Sequence, residues 1–384
     1  MKIVNFGYNR WSPYWKRNQT IFYLLSNMDQ VQSGLFVNPS IWIAEFVSSP
    51  QKLFQCDTRS IFTQAVTEKI RVKTPVYLPY VTKNKKIRMI NNYFNSLNFS
   101  NPDDGIILIL NDLQADPYLL DIVLSKAKLT IFDWSDDFDE FSNSEQGRLS
   151  SRLRCNYYCE KADIVLTIND NLCERALEIN KNSHVVKNAT NFFTFSPPDE
   201  DEKIIRRIRQ YGDKVIGYVG WLNNLRLDQE LIKFVAEKRP EYQFVFMGPE
   251  CQKMPLGKEI QSLKNVHILP PVPYEKYPST LKAFDVCILP NIINAHTNGN
   301  DPIKIYDYLA SGRPIVATKT AGTDFFSTLL YLADSKDDFL NLLDYAVNEN
   351  SELLQLGRVQ AARKNSWQER YNEIESLIQP YMMN

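Results

Sequence analysis

Two successive series of short apolar runs, each run followed by a longer stretch of helical character, restrict this chain to a parallel α/β architecture. In the first half the expected strands are 2–6, 41–47, 75–81, 105–110, 129–133 and 163–168. In the second they are 214–219, 243–247, 266–269, 286–289 and 315–317. Between the series, 188–203 (NATNFFTFSPPDEDEK) carries two prolines and an acidic run and reads as a linker. A chain of 384 residues fits two domains, because single cores rarely grow beyond about 250–300 residues.

Composition excludes several function classes. Lysine plus arginine number 44 against 45 acidic residues, so there is no global basic footprint for nucleic acid. The six cysteines (56, 155, 159, 173, 251, 287) include no Cys-x-x-Cys, and the three histidines (184, 267, 296) lie far apart. Neither pattern predicts zinc. Cys155 and Cys159 stand one helical turn apart, the spacing of core packing. The N-terminus has no apolar run with a small-residue cleavage site, and no stretch is long enough to span a bilayer. The expectation is a cytoplasmic protein with reduced thiols.

The richest local signal is Asn300–Thr318 (NDPIKIYDYLASGRPIVAT). Asp301 suits a helix N-cap and Pro302 the first helical position; Gly312 is placed to stop the helix and Pro314 forbids its continuation. Lys304 and Asp307 share a face three residues apart, with Ile303, Tyr306 and Ala310 on another. A helix N-terminus with a lysine in its first turn seats phosphate, and a carboxylate one turn later accepts hydrogen bonds from ribose. The bland reading is a surface helix whose Lys–Asp pair contributes little.

Lys304, Asp307, Tyr308, Gly312 and Pro314 reproduce a K-x-x-[EDQ]-Y-x-x-x-G-x-P pattern. The segment thereby resembles the donor-binding helix of GT-B glycosyltransferases of bacterial polysaccharide synthesis, where the lysine meets the donor pyrophosphate and the acidic residue the ribose. Many retaining members carry Glu-x7-Glu across this stretch; here those positions are Gly299 and Asp307. That departure favours an inverting reaction.

Other turns of the second half fit the same reading. Gly220, Trp221 and Asn223 follow a strand, and a glycine there lets backbone N–H groups approach a diphosphate. An ordinary βα turn has the same look. The proline-stiffened 269–278 matches the loop that recognises the base in the family, with Val272 and Tyr274 as candidates. His296 and Asn300, just ahead of the helix, are placed to close over the donor sugar.

On the acceptor side an inverting enzyme needs a base. The run 131–140 (IFDWSDDFDE) follows a strand and crowds carboxylates, which raises their proton affinity. Phe132–Asp136 resembles the base-bearing segment of the xanthan glucuronosyltransferase type, which implies Asp136 as base, with Asp137 and Asp133 as rivals. Capping of the next helix is the plainer role. Asp137-Phe-Asp139 is also a D-x-D, the metal motif of GT-A enzymes, but the second-half motifs speak for GT-B. After the first strand, Tyr8, Arg10, Trp11 and Trp15 combine rings and cations suited to a glycan acceptor, or simply to core packing. The stretch 83–97 reads as an amphipathic helix with four cations at its start, either packed on the sheet or resting on anionic lipid.

The resemblance therefore implies an α/β fold of GT-B type: two Rossmann-like domains facing across a cleft. Residues 1–190 would bind acceptor and 204–366 the nucleotide-sugar donor, with the terminal helix 367–384 crossing back to the first domain. The implied activity moves a sugar from a uridine diphosphate donor to a bacterial surface polysaccharide or lipid-linked glycan. It needs no metal or resident cofactor and no nucleic acid, and proceeds at the inner face of the membrane. The rivals are a retaining GT4-like transferase, a UDP-sugar epimerase and a non-catalytic GT-B partner protein.

Overall fold

The structure is a computed structural model, described here for residues 1–12, 15–42, 61, 63–77, 85–96, 105–142, 144–195, 201–250, 255–294, 297 and 299–382. It divides into two compact units, Met1–Val186 with Tyr371–Asn384, and Lys187–Arg370.

In the first unit the strands are β1 (Lys2–Phe6), β2 (Ser33–Val37), β3 (Ile41–Trp42), β4 (Gln64–Ala65), β5 (Ile70–Lys73), β6 (Val76–Tyr77), β7 (Ile106–Leu110), β8 (Ala127–Trp134), β9 (Ile164–Thr167) and β10 (Ser183–Val185). Eight form one sheet in the order β10-β9-β8-β7-β1-β2-β5-β4, parallel except at the β4–β5 edge. β3 and β6 pair separately. Ile106-Ile-Leu-Ile-Leu110 is buried at every position, as a parallel strand covered on both faces requires. Val4, Phe6, Leu108 and Leu110 pack with Leu119, Leu120 and Tyr158 on one face, and the helix Arg17–Ser26 packs over β1 and β2. From β1 the sheet grows one way to β2 and the other way to β7, so a topological switch point lies between β1 and β7.

The second unit holds β11 (Val215–Val219), β12 (Gln243–Met247), β13 (Val266–Leu269), β14 (Val286–Leu289), β15 (Ile315–Thr318) and β16 (Tyr331–Ala333). All are parallel, in the order β13-β12-β11-β14-β15-β16, which puts the switch point between β11 and β14. The last helix, Trp367–Met382, begins in this unit, and its residues from Tyr371 onward belong to the first.

The strands expected at 41–47 and 75–81 shrink to Ile41–Trp42 and Val76–Tyr77, with 43–50 and 78–84 outside the described residues. Strands β2, β4, β5, β10 and β16 were not anticipated. They are short and interrupted by polar or small residues, and their pairing partners decide them. The segment expected as a linker is built into the second unit: it carries the helical turn Phe192–Phe195 and the start of a helix at Glu202, capped by the Asp201 carboxylate.

One buried ion pair anchors the second unit. Arg358 is fully buried, and its two Nη atoms donate to the Glu349 carboxylate at 2.6 Å each. Its Nε donates to the Leu329 carbonyl, and Nη1 also reaches the carbonyl of Gly312 at 3.3 Å. Burial pushes the Glu349 carboxyl up, but the hydrogen bonds from Arg358 and Tyr331 outweigh it and hold the group below its ordinary value. That stabilisation is present above the unfolded pKa and is lost as pH falls through the folded one. Arg358→Ala strands the buried carboxylate and should cost about 3–5 kcal/mol at pH 7 in urea unfolding. A loss below about 1 kcal/mol would show the pair to be dispensable.

Candidate functional site

In the second unit the helix Ile303–Ser311 ends at Gly312, whose φ of 72° is left-handed, as its glycine predicts. Its start differs from expectation. Pro302 occupies the cap and makes no side-chain cap bond. Asp301 is no N-cap: its Oδ2 accepts the Asn188 N–H at 2.6 Å and its Oδ1 accepts the Tyr306 hydroxyl at 2.8 Å. Its carbonyl accepts from Asn188 Nδ2 at 2.7 Å. The carboxylate thus clamps a sequence-remote segment to the helix, a role that outcompetes capping once Asn188 is brought alongside.

Lys304 runs across the end of β11. A Cβ on Gly220, where φ is 150°, would lie 1.9 Å from Lys304 Cε and 2.8 Å from its Nζ, so a side chain there is strained and would displace the end of the lysine. The Lys304 ammonium lies 5.4 Å over the Tyr218 ring. Tyr308, one turn on, accepts the Val219 N–H at its hydroxyl at 2.9 Å and locks the helix to the same strand end. Gly220, Lys304 and Tyr308 therefore converge at the β11/β14 switch point, where open α/β sheets bind ligands.

Asp307 is buried and accepts two hydroxyls on Oδ1, Thr190 Oγ1 and Tyr274 Oη, both at 2.7 Å. Burial pushes its carboxyl up to about 6, moderated by those hydroxyls and by the Lys304 charge. Tyr274 also accepts the Asn191 N–H at 3.3 Å. Of the other donor-side candidates, Val272 lies in the apolar core. Trp221 is half exposed, and its carbonyl accepts the Tyr218 hydroxyl. Asn223 turns its Oδ1 back to the N–H groups of Leu225 and Arg226, a turn-forming role. Asn300 accepts the Asp301 N–H on its Oδ1. His296 lies outside the described residues.

In the first unit, most of the acidic run is not free. Arg17, itself buried, donates to Asp133 Oδ1 from Nε and Nη2 at 2.9 and 2.8 Å, and Asn111 donates to Oδ2 at 2.9 Å. Arg175 bridges Asp137 and Asp139 at 3.1 and 2.7 Å, and Arg152 also reaches Asp139. Two expectations change. Asp133 pairs with Arg17, and Asp137 and Asp139 with Arg175, so these carboxylates are ion-pair partners rather than an uncompensated cluster. Asp137 heads the 3-10 turn Phe138–Phe141 without a side-chain cap bond, so the capping role is absent too. Asp136 is buried two residues beyond β8.

Of the aromatic loop, Trp11 is packed edge-on against Phe36, Phe22 and Trp15, and its N–H donates to Asn38. Trp15 keeps 41% of its surface exposed beside Tyr23, and Arg10 is exposed. Tyr8 meets Phe138 edge-on at 6.0 Å, bringing the β1 loop to the acidic segment. Residues that the sequence reading passed over stand beside these candidates: Asn188 and Thr190, which hydrogen-bond Asp301 and Asp307, and Asn111–Asp112 directly after β7. The strand-then-Asn-Asp pattern at 106–112 was the available signal for the second pair.

Comparison with known proteins fits this geometry. Residues 213–341 match the family described as glycosyl transferases group 1. TuaH of Bacillus subtilis (strain 168), a glycosyltransferase named for teichuronic acid biosynthesis, is 26% identical over 143 residues, 36% of this chain and 35% of that protein. D-inositol 3-phosphate glycosyltransferase of Corynebacterium jeikeium (strain K411) is 26% identical over 206 residues, 47% of this chain and 48% of that protein. The chain thus spans about half or less of the curated relatives it matches. Anabaena HepE, solved with UDP and glucose, superposes with a TM-score of 0.71 at 12% identity, covering 99% of this chain and 100% of that one. A trehalose-6-phosphate structure from E. coli, bound with UDP-2-fluoro glucose, gives 0.69 at 10% identity over 99% of both chains. The fold is GT-B, and its second unit carries a glycosyl transferases group 1 segment.

An ionised Asp307 is penalised at neutral pH, so the group favours folding at low pH and loses that contribution as pH rises through about 6. Asp307→Asn keeps an acceptor for Tyr274 and Thr190. It should raise stability at pH 8 by up to about 2–3 kcal/mol, with the gain vanishing near pH 4. Urea unfolding at the two pH values checks this; equal gains at both would rule out the burial account.

Proposed function

We propose that this chain is a glycosyltransferase that moves a sugar from a uridine diphosphate donor to a glycan of the bacterial surface or its lipid-linked precursor. The observation that carries the reading is the convergence of Lys304 on the Gly220 turn, inside the segment that matches the glycosyl transferases group 1 family. Lys304, lying over the Gly220 turn, and the helix start without a side-chain cap would hold the diphosphate and stabilise it as it departs. Asp307, with Oδ1 fixed by two hydroxyls, would offer Oδ2 to the ribose. No metal is needed for this stabilisation, since the cation is supplied by the chain. The uridine assignment is supported by the UDP and UDP-sugar complexes of HepE, and the surface-glycan assignment by the name of TuaH.

In this reading the second unit, Lys187–Arg370, binds the donor and the first unit the acceptor. The reaction inverts in this reading, with a base from the first unit. Asp136 is the candidate carried by resemblance. Peripheral contact with the inner face of the membrane is supported by the helix Lys85–Ser96, which exposes Met89, Ile90 and Tyr93 beside Lys85 and Lys86. Among the described residues no helix is long and apolar enough to cross a membrane.

A thermal-shift panel of uridine, guanosine, thymidine and cytidine diphosphates should show stabilisation by UDP. Lys304→Ala should lower transfer from UDP-sugar by about 10²-fold or more and abolish the UDP shift, with the unliganded melting temperature unchanged. Near-normal transfer by this variant would remove Lys304 from the diphosphate site.

A further inference from the structure

The Asp307 carboxylate is divided between two tasks. Thr190 Oγ1 and Tyr274 Oη each carry one proton, and both donate it to Oδ1 at 2.7 Å, which fills the two lone pairs of that oxygen. Oδ2 accepts no hydrogen bond among the described residues, although the side chain keeps only 7% of its surface exposed. An open acceptor on so deeply buried a carboxylate is placed for a donor that arrives from outside the chain. Lys304 stands three residues earlier, on the same face of the helix Ile303–Ser311.

The two donors are fixed before any ligand arrives. Thr190 is fully buried; its N–H donates to the Asn365 carbonyl at 3.2 Å, and its carbonyl accepts the Trp367 N–H at 2.9 Å. The Tyr274 ring packs on Tyr277 at 5.0 Å and edge-on to Phe195 at 6.5 Å, and its oxygen accepts the Asn191 N–H at 3.3 Å. Every one of these residues lies within the second unit. Lys304 and Tyr274 are the ionisable groups that act on Asp307 directly. Of its packed neighbours, the helical turn Phe192–Phe195 carries no ionisable group, and Lys282 of the helix Tyr277–Lys282 is exposed. Lys276, in the turn that carries Tyr274, pairs with Asp201, and Arg358 of the helix Glu352–Lys364 is engaged by Glu349. Burial pushes the Asp307 carboxyl up, and the two hydroxyls and the Lys304 charge limit the rise to about 6.

We propose that Thr190 and Tyr274 are positioning residues that set the ribose specificity of the donor site: by saturating Oδ1 they leave Asp307 one oriented acceptor, Oδ2, for a hydroxyl of the nucleotide's ribose. The proposal rests on the donor reading of this unit. It gives Tyr274 a task on the ribose side, distinct from the base contact expected of its loop.

The test measures binding of UDP, 2′-deoxy-UDP and 3′-deoxy-UDP to the full chain by calorimetry. The readout is the ratio of the deoxynucleotide Kd to the UDP Kd, in which the phosphate ionisation common to all three cancels. At pH 8 one of the two wild-type ratios should reach about 10–100-fold, the range of a hydrogen bond to a charged group. Tyr274→Phe and Thr190→Val should each reduce that ratio to about 3-fold or less, with the Kd of the deoxynucleotide unchanged, and Thr190→Ser should restore it. The wild-type ratio should fall as pH drops through about 6, because protonation removes the carboxylate charge. In Tyr274→Phe it should fall at higher pH, because the ionised form has lost a donor. Ratios within about 2-fold of wild type in both variants overturn the proposal. So does equal weakening of UDP and the deoxynucleotides, which marks the residues as supports of the nucleotide site as a whole. Wild-type protein that binds UDP with both ratios near one also overturns it, while the donor reading stands. Wild-type protein that binds none of the three nucleotides defeats the donor reading itself, and this assignment falls with it.

Discussion

The hydrogen bond from the Val219 N–H to the Tyr308 hydroxyl is the contact on which the second unit's site depends. It joins the last residue of the central strand to the helix that follows β14, with both partners buried. A buried hydroxyl without a partner costs roughly 1–3 kcal/mol, so this helix has one favourable rotation about its axis. That rotation sends Lys304 over Gly220 and turns Asp307 toward Thr190 and Tyr274. Arg358, reaching the Gly312 carbonyl, holds the other end.

The two units solve a similar problem with different chemistry. Each has a parallel sheet with a switch point beside its first strand, where backbone groups at strand ends leave room for a ligand. In the second unit that edge carries a lysine and glycine turns, a surface suited to anions. In the first it carries carboxylates, most of them neutralised by Arg17 and Arg175. Asp112, buried like Asp133 and Asp139, differs from these paired neighbours in making no ion pair among the described residues.

Much of this was legible in the chain. β1, β12, β13 and β14 begin and end where the predicted runs do, since strands flanked by other strands of a parallel sheet are largely apolar. Gly220, Lys304, Tyr308 and Gly312 were visible because each position tolerates so few residue types. The short strands β2, β4, β5, β10 and β16 were not, because their order comes from neighbours rather than from their own composition. Asp301 misled for a related reason: a local rule assigns it a cap, and a remote asparagine wins it.

The sequence by itself determined the α/β alternation, the division into two series and the phosphate-suited helix, since periodicity, glycine stops and proline breaks act over a few residues. Only the tertiary structure decided which charges remain available. Asp133 meets Arg17 across 116 residues and Asp307 meets Thr190 across 117. Burial and pairing across such separations fix whether a carboxylate is a salt-bridge partner, a clamp or a base, and no local pattern encodes them.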